Sequence, residues 1–241
     1  MKAVIVLPTY NESPNLAPLV ERILRYDAVA AIVIVDDDSP DGTGTIADAL
    51  ETQHRSRVRV VHRRGRRGYG PASREGFVIA MQLSTDVIVQ MDADGSHDPV
   101  HIPDMLAAAE RAGLVIGSRY VAGGKVVNWP LRRRLLSRFA NAYVRQVLHL
   151  PTRDCTSGFR VWRRSLLERL MTLPRDWSDG YAFLVQMLFL AVRERSAIVE
   201  IPIVFIERHH GRSKMSLRIM AESGVVPWRL RQEMRRASEK A

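Results

Sequence analysis

The sequence lacks the features that mark several classes of protein. Its single cysteine, Cys155, excludes an intrachain disulfide framework and a cysteine-based zinc site, and it fits a reducing cytosolic compartment. The longest apolar run, residues 182–192, is interrupted by Gln186 and is far shorter than the roughly 20 residues that a membrane span needs. No internal repeat or low-complexity segment is present. The composition therefore predicts a globular protein with no segment that crosses a bilayer.

Negative charge and aromatic residues are also scarce. The 241 residues include 36 Lys and Arg against 26 Asp and Glu, which gives a formal net charge of +10. Such an excess indicates anionic partners, namely nucleic acid, lipid headgroups or phosphorylated small molecules. Aromatic residues make up 7% of the chain and are not interleaved with basic ones as in single-strand binders. Hydrophobic residues make up 46%, enough for one large domain or a domain with an appendage.

Short apolar runs and helical patterns alternate along the first half of the chain. The apolar start, residues 1–8, is too short for a signal peptide and is interpreted as a strand. Further strands are predicted at residues 31–35, 58–61, 87–89 and 114–117, with helices at 16–24, around 46–50, from Pro71 onward and at 99–112. The alternation predicts an α/β fold, with a mainly parallel sheet covered by helices on both faces.

Two carboxylates follow the apolar strand at residues 87–89. Asp92 and Asp94 are two residues apart, so in an extended segment their side chains point the same way, with the small Ala93 between them. This arrangement suits a divalent cation shared with a diphosphate, because Mg²⁺ takes one or two carboxylates together with phosphate oxygens. Asp-rich turns after strands also occur for purely structural reasons. The pair therefore needs support from the rest of the chain.

Two other polar clusters supply that support. Residues 10–12 and 36–41 follow predicted strands, as residues 92–98 do. Because the carboxyl ends of parallel strands meet at one edge of a sheet, the three clusters are expected to lie together. His97 is expected to orient Asp92 or a water. The basic loop at residues 63–67 fits closure over a diphosphate and an ordinary solvated loop equally well.

The second half of the chain is more basic and less regular. Residues 131–150 predict a helix that carries five arginines among apolar residues, which suits either a solvated face or anionic headgroups. Trp129 and Trp228 adjoin basic helices and suggest a membrane interface. A polar turn at 154–160, a buried helix at 180–192 and a strand at 198–204, placed at a sheet edge by Pro202, are also predicted. The tail, residues 215–241, is predicted to be a helix broken near Pro227.

Five ordered motifs carry a family resemblance. They are Pro8-Thr9-Tyr10-Asn11-Glu12, the acidic run at residues 35–43, Met91-Asp92-Ala93-Asp94-Gly95-Ser96-His97, Gly117-Ser118-Arg119-Tyr120 and Ser213-Lys214-Met215. With them the chain resembles the polyprenyl-phosphate (dolichol-phosphate) mannose synthases, family 2 glycosyltransferases of the GT-A fold, over residues 3–220. The resemblance implies a GT-A catalytic domain at residues 1–214, with an acceptor and membrane-interface helix at about 130–150, and a basic helical tail at 215–241.

The resemblance also implies roles for particular residues. The nucleotide-sugar site would comprise Pro8, Tyr10, Glu12, Val35, Asp37, Ala93, Asp94, Ser96, Arg119, Arg208 and Lys214. Mg²⁺ or Mn²⁺ would be held by Asp92 and Asp94 with help from Ser96, and Arg119 would join the two carboxylates in catalysis. The acceptor phosphate would be held by Arg119, Arg133 and Ser137. Leu184 and Gln186 depart from the family, which tends to have Gln and an acid there, and membrane helices that many relatives carry are not found.

The implied reaction transfers mannose from GDP-mannose to a polyprenyl (dolichyl-type) monophosphate. The acceptor's phosphate is already anionic near neutral pH, since the second pKa of a phosphate monoester is about 6. No general base is then needed, and the expected step is an in-line attack with inversion. The expected location is cytoplasmic, peripheral on the cytoplasmic face of the membrane, with room for a separate membrane-anchoring partner.

Three alternatives stay open. A UDP-glucose-dependent polyprenyl-phosphate glucosyltransferase would share most of the motifs, and only similarity favours mannose. A different lipid or a small metabolite would also serve as acceptor. A basic nucleic-acid-binding protein explains the charge of +10 but not the acidic ends of several strands, so no nucleic-acid partner is expected.

Overall fold

The computed structural model describes residues 1–65, 67–207 and 217–238. The strands are β1 (Ala3–Thr9), β2 (Val29–Asp36), β3 (Val58–His62), β4 (Val87–Gln90), β5 (Leu114–Ser118), β6 (Lys125–Val127), β7 (Arg160–Arg163), β8 (Ile198–Pro202) and β9 (Val204–Ile206). The α-helices are α1 (Ser13–Ile23), α2 (Thr43–Gln53), α3 (Tyr69–Gln82), α4 (Ile102–Ala109), α5 (Leu131–Leu148), α6 (Arg164–Met171), α7 (Ala182–Arg193) and α8 (Leu217–Ser238). A 3₁₀ turn, Pro99–His101, precedes α4.

The main sheet has seven strands in the order β3-β2-β1-β4-β7-β5-β8. Neighbouring strands are parallel except at β7, which runs antiparallel to β4 and β5. A second, two-stranded sheet pairs β6 with β9. The predicted α/β fold with a mainly parallel sheet is confirmed.

Helices cover both faces of the sheet, as the apolar character of its strands predicts. Val4 and Val6 of β1 point into one buried cluster with Phe77 of α3. Ile5 and Leu7 point into the other, which contains residues of α1 and α4. Because successive side chains of a strand face opposite ways, a strand buried on both faces is apolar throughout.

The sequence did not predict β7. Its four residues, Arg-Val-Trp-Arg, are too few for a clear pattern of alternation, and their strand character comes from burial between β4 and β5. In the register of this strand, Arg160 lies opposite Gln90, the last residue of β4. The turn before β7 therefore reaches the same edge of the sheet as Asp92 and Asp94.

Three predicted elements differ from the structure, and the first two are a helix start and a divided strand. α3 begins at Tyr69, two residues before Pro71. The strand predicted at 198–204 is two strands, because β8 ends at Pro202 on the edge of the main sheet, as predicted, and β9 joins the second sheet.

The tail helix is the third correction, since α8 continues through Pro227. Proline removes one helical N–H donor, but packing holds the helix on both sides of it: Val226 and Leu230 are buried in the core. The Tyr143 hydroxyl of α5 also donates to the carbonyl oxygen of Gly224 at 2.6 Å. The division of the chain at residue 214 stays a prediction.

None of the helices in the described part of the chain combines the length and the apolar character that crossing a membrane requires.

We expect α8 to contribute to the cooperative core. Leu230 is 1% exposed, so Leu230→Ala should lower the free energy of unfolding by about 2–5 kcal/mol, as buried leucine truncations do. Leu135→Ala is the matched control, because Leu135 is 56% exposed and its truncation should change stability by no more than about 0.5 kcal/mol. Urea unfolding measures both variants. Equal, small effects would show that α8 does not stabilise the core.

Candidate active site

The acidic pair lies just beyond β4, in a turn that other groups hold in place. Asp94 is 8% exposed, and its Oδ1 accepts from the Ser96 main-chain N–H at 3.1 Å and from the Ser96 hydroxyl at 2.5 Å. The Asp92 side chain is more open, at 26% exposed. Ser96 therefore fixes the direction of the Asp94 carboxylate.

His97 also holds this turn in place. Its Nδ1 accepts a hydrogen bond from the Asp92 main-chain N–H at 3.0 Å, and its ring stacks on Phe159 with centroids 5.1 Å apart. Burial lowers the pKa of His97, which keeps the ring neutral and Nδ1 available as an acceptor. His97 thus contacts the main chain of Asp92, and its expected role in orienting Asp92 or a water stays a prediction.

A buried polar network lies behind Asp92. Gln90 donates to the Tyr69 hydroxyl at 3.2 Å and to Ser73 at 3.3 Å, and it accepts from the Trp162 indole N–H at 3.3 Å. The Tyr69 hydroxyl adjoins Asp92, and burial, reinforced by the Asp92 charge, raises the pKa of Tyr69 well above its usual value. Tyr69 thus stays a neutral donor beside the carboxylate.

Because Gly158 has no side chain, there is room beside it for the Asp92 carboxylate. A Cβ added at this position would lie 2.9 Å from one Asp92 carboxylate oxygen and 3.0 Å from the Tyr69 hydroxyl. The main chain of the turn before β7 therefore packs directly against the acidic pair, and a side chain at this position would have to displace the Asp92 carboxylate.

The residues predicted for the nucleotide end lie at the ends of β1 and β2. Pro8 pairs with Val35 across these strands. Val35 is fully buried, and its carbonyl accepts from Thr9, so only its main chain reaches the edge. Glu12 is buried at the start of α1 and accepts from the Asn15 side chain at 2.8 Å.

The basic loop after β3 folds over this nucleotide end. Arg63 pairs with Asp37, whose Oδ2 also accepts from the Gly68 main-chain N–H at 2.7 Å. Burial raises the pKa of Asp37, although the bonds from Gly68 and Arg63 act in the opposite direction. Arg67 lies 5.1 Å from the centroid of the Tyr10 ring and donates to the Tyr10 hydroxyl at 3.1 Å. Arg63 and Arg67 thus contact two of the residues predicted to bind the nucleotide, Asp37 and Tyr10.

Arg119, at the end of β5, forms a buried ion pair that the sequence did not predict. Its Nε and Nη2 donate to the two carboxylate oxygens of Asp154, both at 2.7 Å, and Nη2 also donates to Thr156 at 2.7 Å. Burial would raise the pKa of Asp154, but the Arg119 guanidinium outweighs it and the pKa is lowered. The sequence predicts Asp154 only as part of a polar turn.

The predicted acceptor residues are one helical turn apart on α5. The Ser137 hydroxyl accepts from the Tyr120 hydroxyl at 2.6 Å. Arg133 pairs with Glu207 at 2.5 Å, and its guanidinium lies 4.1 Å from the centroid of the Trp129 ring. Trp129 is therefore buried beneath Arg133 rather than exposed at an interface, whereas Trp228 is half exposed. Arg208 and Lys214 lie outside the described residues.

Arg160 is a second buried cation near the site. Its guanidinium donates to the carbonyls of Ser157 and Cys155, in the turn before β7, and to that of Leu184 on α7. Burial lowers the pKa of Arg160 to about 10. Gln186, which departs from the family pattern, links α7 to Ser178 and Asp176. Arg160 therefore holds the turn before β7 against α7, and Gln186 holds the segment before α7.

The acidic pair suits a metal ion whose remaining ligands come from a substrate. In the described part of the chain, no group of three or more His, Cys, Asp or Glu side chains is arranged to hold a metal ion, so an all-protein cage is not built there. Two carboxylates, one pinned by Ser96 and one in the crevice beside Gly158, match the share of ligands that protein supplies to Mg²⁺ or Mn²⁺ when phosphate oxygens provide the rest. Ser96 acts in this geometry by orienting Asp94.

Comparison with known proteins gives consistent findings. The profile of glycosyl transferase family 2 matches residues 4–171. The chain is 41% identical over 239 residues to the polyprenol monophosphomannose synthase of Mycolicibacterium smegmatis, covering 98% of this chain and 90% of that one. It is 44% identical over 232 residues to the undecaprenyl-phosphate mannosyltransferase of Micrococcus luteus, covering 95% of each.

Solved structures show the same fold. The glucosyl-3-phosphoglycerate synthase of Mycobacterium tuberculosis, in complex with Mn²⁺, UDP-glucose and phosphoglyceric acid, superposes with a TM-score of 0.68. The identity is 22%, over 94% of this chain and 79% of the other. At that identity, the similarity shows the fold alone.

We expect Asp154→Asn to be strongly destabilising, because it leaves Arg119 buried without its carboxylate. Breaking a buried pair in this way costs about 3–5 kcal/mol, measured as the loss of unfolding free energy at neutral pH. The exposed Asp104→Asn serves as control and should change stability by no more than about 0.5 kcal/mol.

The pair also predicts a pH dependence. The folded pKa of Asp154 lies below its unfolded value of about 3.9, so its stabilisation is complete above that pH and is lost as the pH falls through the folded value. The stability difference between the wild type and Asp154→Asn should therefore shrink only in acid. A difference that shrinks as the pH rises from neutral would contradict the assignment.

We expect Gly158→Ala to displace Asp92 without unfolding the chain. Disturbing groups that orient metal ligands typically lowers metal affinity about 10- to 100-fold, and Mn²⁺ binding in the presence of a nucleoside diphosphate measures it. Gly224→Ala is the control, because a Cβ there would have no neighbour within 4 Å. Unchanged Mn²⁺ affinity together with an unchanged melting temperature would exclude a role for this crevice.

Proposed function

The chain belongs to glycosyl transferase family 2 and is a glycosyltransferase of the GT-A fold, and we propose that it transfers mannose from GDP-mannose to a polyprenyl monophosphate. The observation that carries the proposal is the pair of relatives at 41% and 44% identity, whose names specify mannose transfer to polyprenol or undecaprenyl phosphate. The residue geometry supports the chemistry of each substrate in turn.

The donor's nucleoside lies at the ends of β1 and β2 in this proposal. The Tyr10 ring offers an aromatic face for a base. Asp37 and Glu12 offer buried carboxylate oxygens to the N–H and O–H donors of base and ribose. The main chain of Pro8 and Val35 completes the floor, and Arg63 and Arg67 border it. The diphosphate then extends toward β4, past Ala93.

Asp92 and Asp94 would hold Mg²⁺ or Mn²⁺ together with the diphosphate. The metal, when bound, neutralises the negative charge that develops on the leaving diphosphate. Ser96 keeps the Asp94 carboxylate aimed, and the neutral Tyr69 hydroxyl does the same beside Asp92. Arg119, with Arg208 and Lys214 as proposed further cations, adds positive charge toward the phosphates.

The acceptor's phosphate would be held by Arg119, Arg133 and Ser137. An acceptor oxygen attacks the anomeric carbon as the bond to the diphosphate oxygen breaks, and the bonding electron pair leaves with the diphosphate. The configuration at the anomeric carbon inverts. No proton has to move, because the phosphate is anionic near neutral pH. His97 is buried and its Nδ1 accepts from the Asp92 main-chain N–H, so it is not positioned as a general base in this proposal.

The lipid acceptor requires a membrane surface nearby. Leu131, Leu135, Leu136 and Phe139 of α5 are between 56% and 69% exposed. Such an apolar stripe among arginines is typical of helices that lie in the headgroup layer. We therefore include peripheral binding to the cytoplasmic face of the membrane in the proposal, with a separate membrane protein as a further anchor.

Transfer of labelled sugar to a short polyprenyl phosphate tests the proposal. GDP-mannose and UDP-glucose are supplied separately, each with Mg²⁺, with Mn²⁺ and with a chelator. We expect labelling from GDP-mannose that the chelator abolishes. Asp94→Ala should lower the rate about 100-fold or more, as the loss of a preorganised electrostatic group does, whereas the exposed Asp104→Ala should not.

Each other result points to a specific error. Labelling from UDP-glucose alone would move the protein to the glucosyltransferase reaction and keep the site. No labelling from either donor would remove the acceptor assignment first. Full activity of Asp94→Ala would remove the metal site.

A further inference from the structure

A cavity of about 530 Å³ opens beside the candidate active site, between α5 and the loop that follows β5. Four guanidinium groups line it, from Arg119, Arg138, Arg145 and Arg153. None of the described lining residues is acidic. The cavity therefore concentrates positive charge in a concave surface, a shape that strengthens the local potential.

Three of these cations have no carboxylate partner in the described part of the chain. Arg119 is paired with Asp154, but Arg138, Arg145 and Arg153 form no ion pair with any described residue. Like charges around one concave surface repel one another, and an anion bound between them would relieve that repulsion. Their planar forks match the oxygens of a phosphate group.

The floor of the cavity is rigid. Asn141 accepts from the Cys155 main-chain N–H at 2.7 Å and donates to Thr156 at 3.1 Å and to the Ser137 carbonyl at 2.9 Å. Its amide is thus fully used in holding the turn before β7 against α5. A ligand would be bound by the arginines around this floor.

This cavity is separate from the proposed acceptor-phosphate group. Arg133 and Ser137 do not line it. Arg133 is paired with Glu207 on another side of α5, and the Ser137 hydroxyl is bonded to Tyr120. Arg119 is the residue that the two places share.

The position of the cavity on α5 indicates which kind of phosphate would reach it. Val144 and Leu148 face the core, and the exposed Leu131 and Leu135 are on the opposite side of the helix. Arg138 follows Leu131 by two helical turns, and Arg145 follows Arg138 by two more. A helix whose apolar stripe lies about 5–10 Å into the headgroup boundary places such flanking cations level with the lipid phosphates.

We propose that this cavity binds the phosphate of an anionic phospholipid and so docks the protein on the bilayer beside its active site. The inference rests on the membrane contact in the proposed function, and it is independent of the sugar and of the acceptor. Free phosphate shares the same chemistry, so the experiment separates the two sources.

The test uses full-length protein and sedimentation with two kinds of vesicle, phosphatidylcholine alone and phosphatidylcholine mixed with phosphatidylglycerol. The cavity variant is Arg145→Gln/Arg153→Gln. The control, Arg132→Gln/Arg235→Gln, removes the same charge from exposed arginines that do not line the cavity. We expect the cavity variant to lose about tenfold more affinity for the mixed vesicles than the control, which loses only the general attraction of two charges.

Other arms separate the remaining explanations. Leu135→Gln/Phe139→Gln should weaken binding to both kinds of vesicle, and if it does not, the membrane contact of the proposed function is wrong. Inorganic phosphate and glycerol phosphate, added in solution, should bind far more weakly than vesicles. Transfer to a short acceptor in detergent should be unchanged in the cavity variant.

Three results would overturn the proposal. Equal losses in the cavity and control variants would show diffuse attraction without a site. Tight, cavity-dependent binding of inorganic phosphate with no preference for mixed vesicles would assign the site to a soluble phosphate. A raised KM for the acceptor in detergent would assign it to the acceptor's own phosphate.

Discussion

The ion pair between Arg119 and Asp154 joins the two parts of the chain that form the active edge. Arg119 directly follows β5, and Asp154 lies in the turn that leads into β7, so the pair ties a parallel strand to an antiparallel one. Neither charge could be buried alone, since an isolated ion in the interior costs several kcal/mol. The pair also supports the floor of the arginine-lined cavity through Thr156, which both Arg119 and Asn141 contact. The turn before β7 and the floor of the cavity therefore share one electrostatic contact.

The same principle recurs around the edge. Asp37 is paired with Arg63, and Arg133 is paired with Glu207. Asp94 is held by Ser96. Charged groups fixed before a ligand arrives do not have to reorganise during the reaction, and this is the main source of electrostatic catalysis. A nucleotide sugar and a phosphate acceptor bring several negative charges together. The net charge of +10 and the arginines around the acidic edge of the sheet fit such substrates.

Much of the fold follows from the sequence, because each of its patterns is local. The strands β1 to β5 are apolar runs bounded by turn residues, and the convergence of Tyr10, Asp37 and Asp92 follows from the rule that parallel strands end at one edge. The fold class, the family and the glycosyltransferase activity expected from the motifs are confirmed. The individual roles of the site residues stay predictions.

The sequence by itself determined the acidic edge, the small Ala93 between two carboxylates and the basic, amphipathic character of α5, because each is a pattern within a few residues. Tertiary structure decided the rest. β7 is a strand only because β4 and β5 lie on either side of it, and its direction brings Asp154, Gly158 and Arg160 to the active edge. α8 passes through Pro227 because packing of Val226 and Leu230 outweighs the lost hydrogen bond. Ion pairs between residues 35 or 74 positions apart, as in Arg119–Asp154 and Arg133–Glu207, have no local signature, since their partners meet only when the chain has folded.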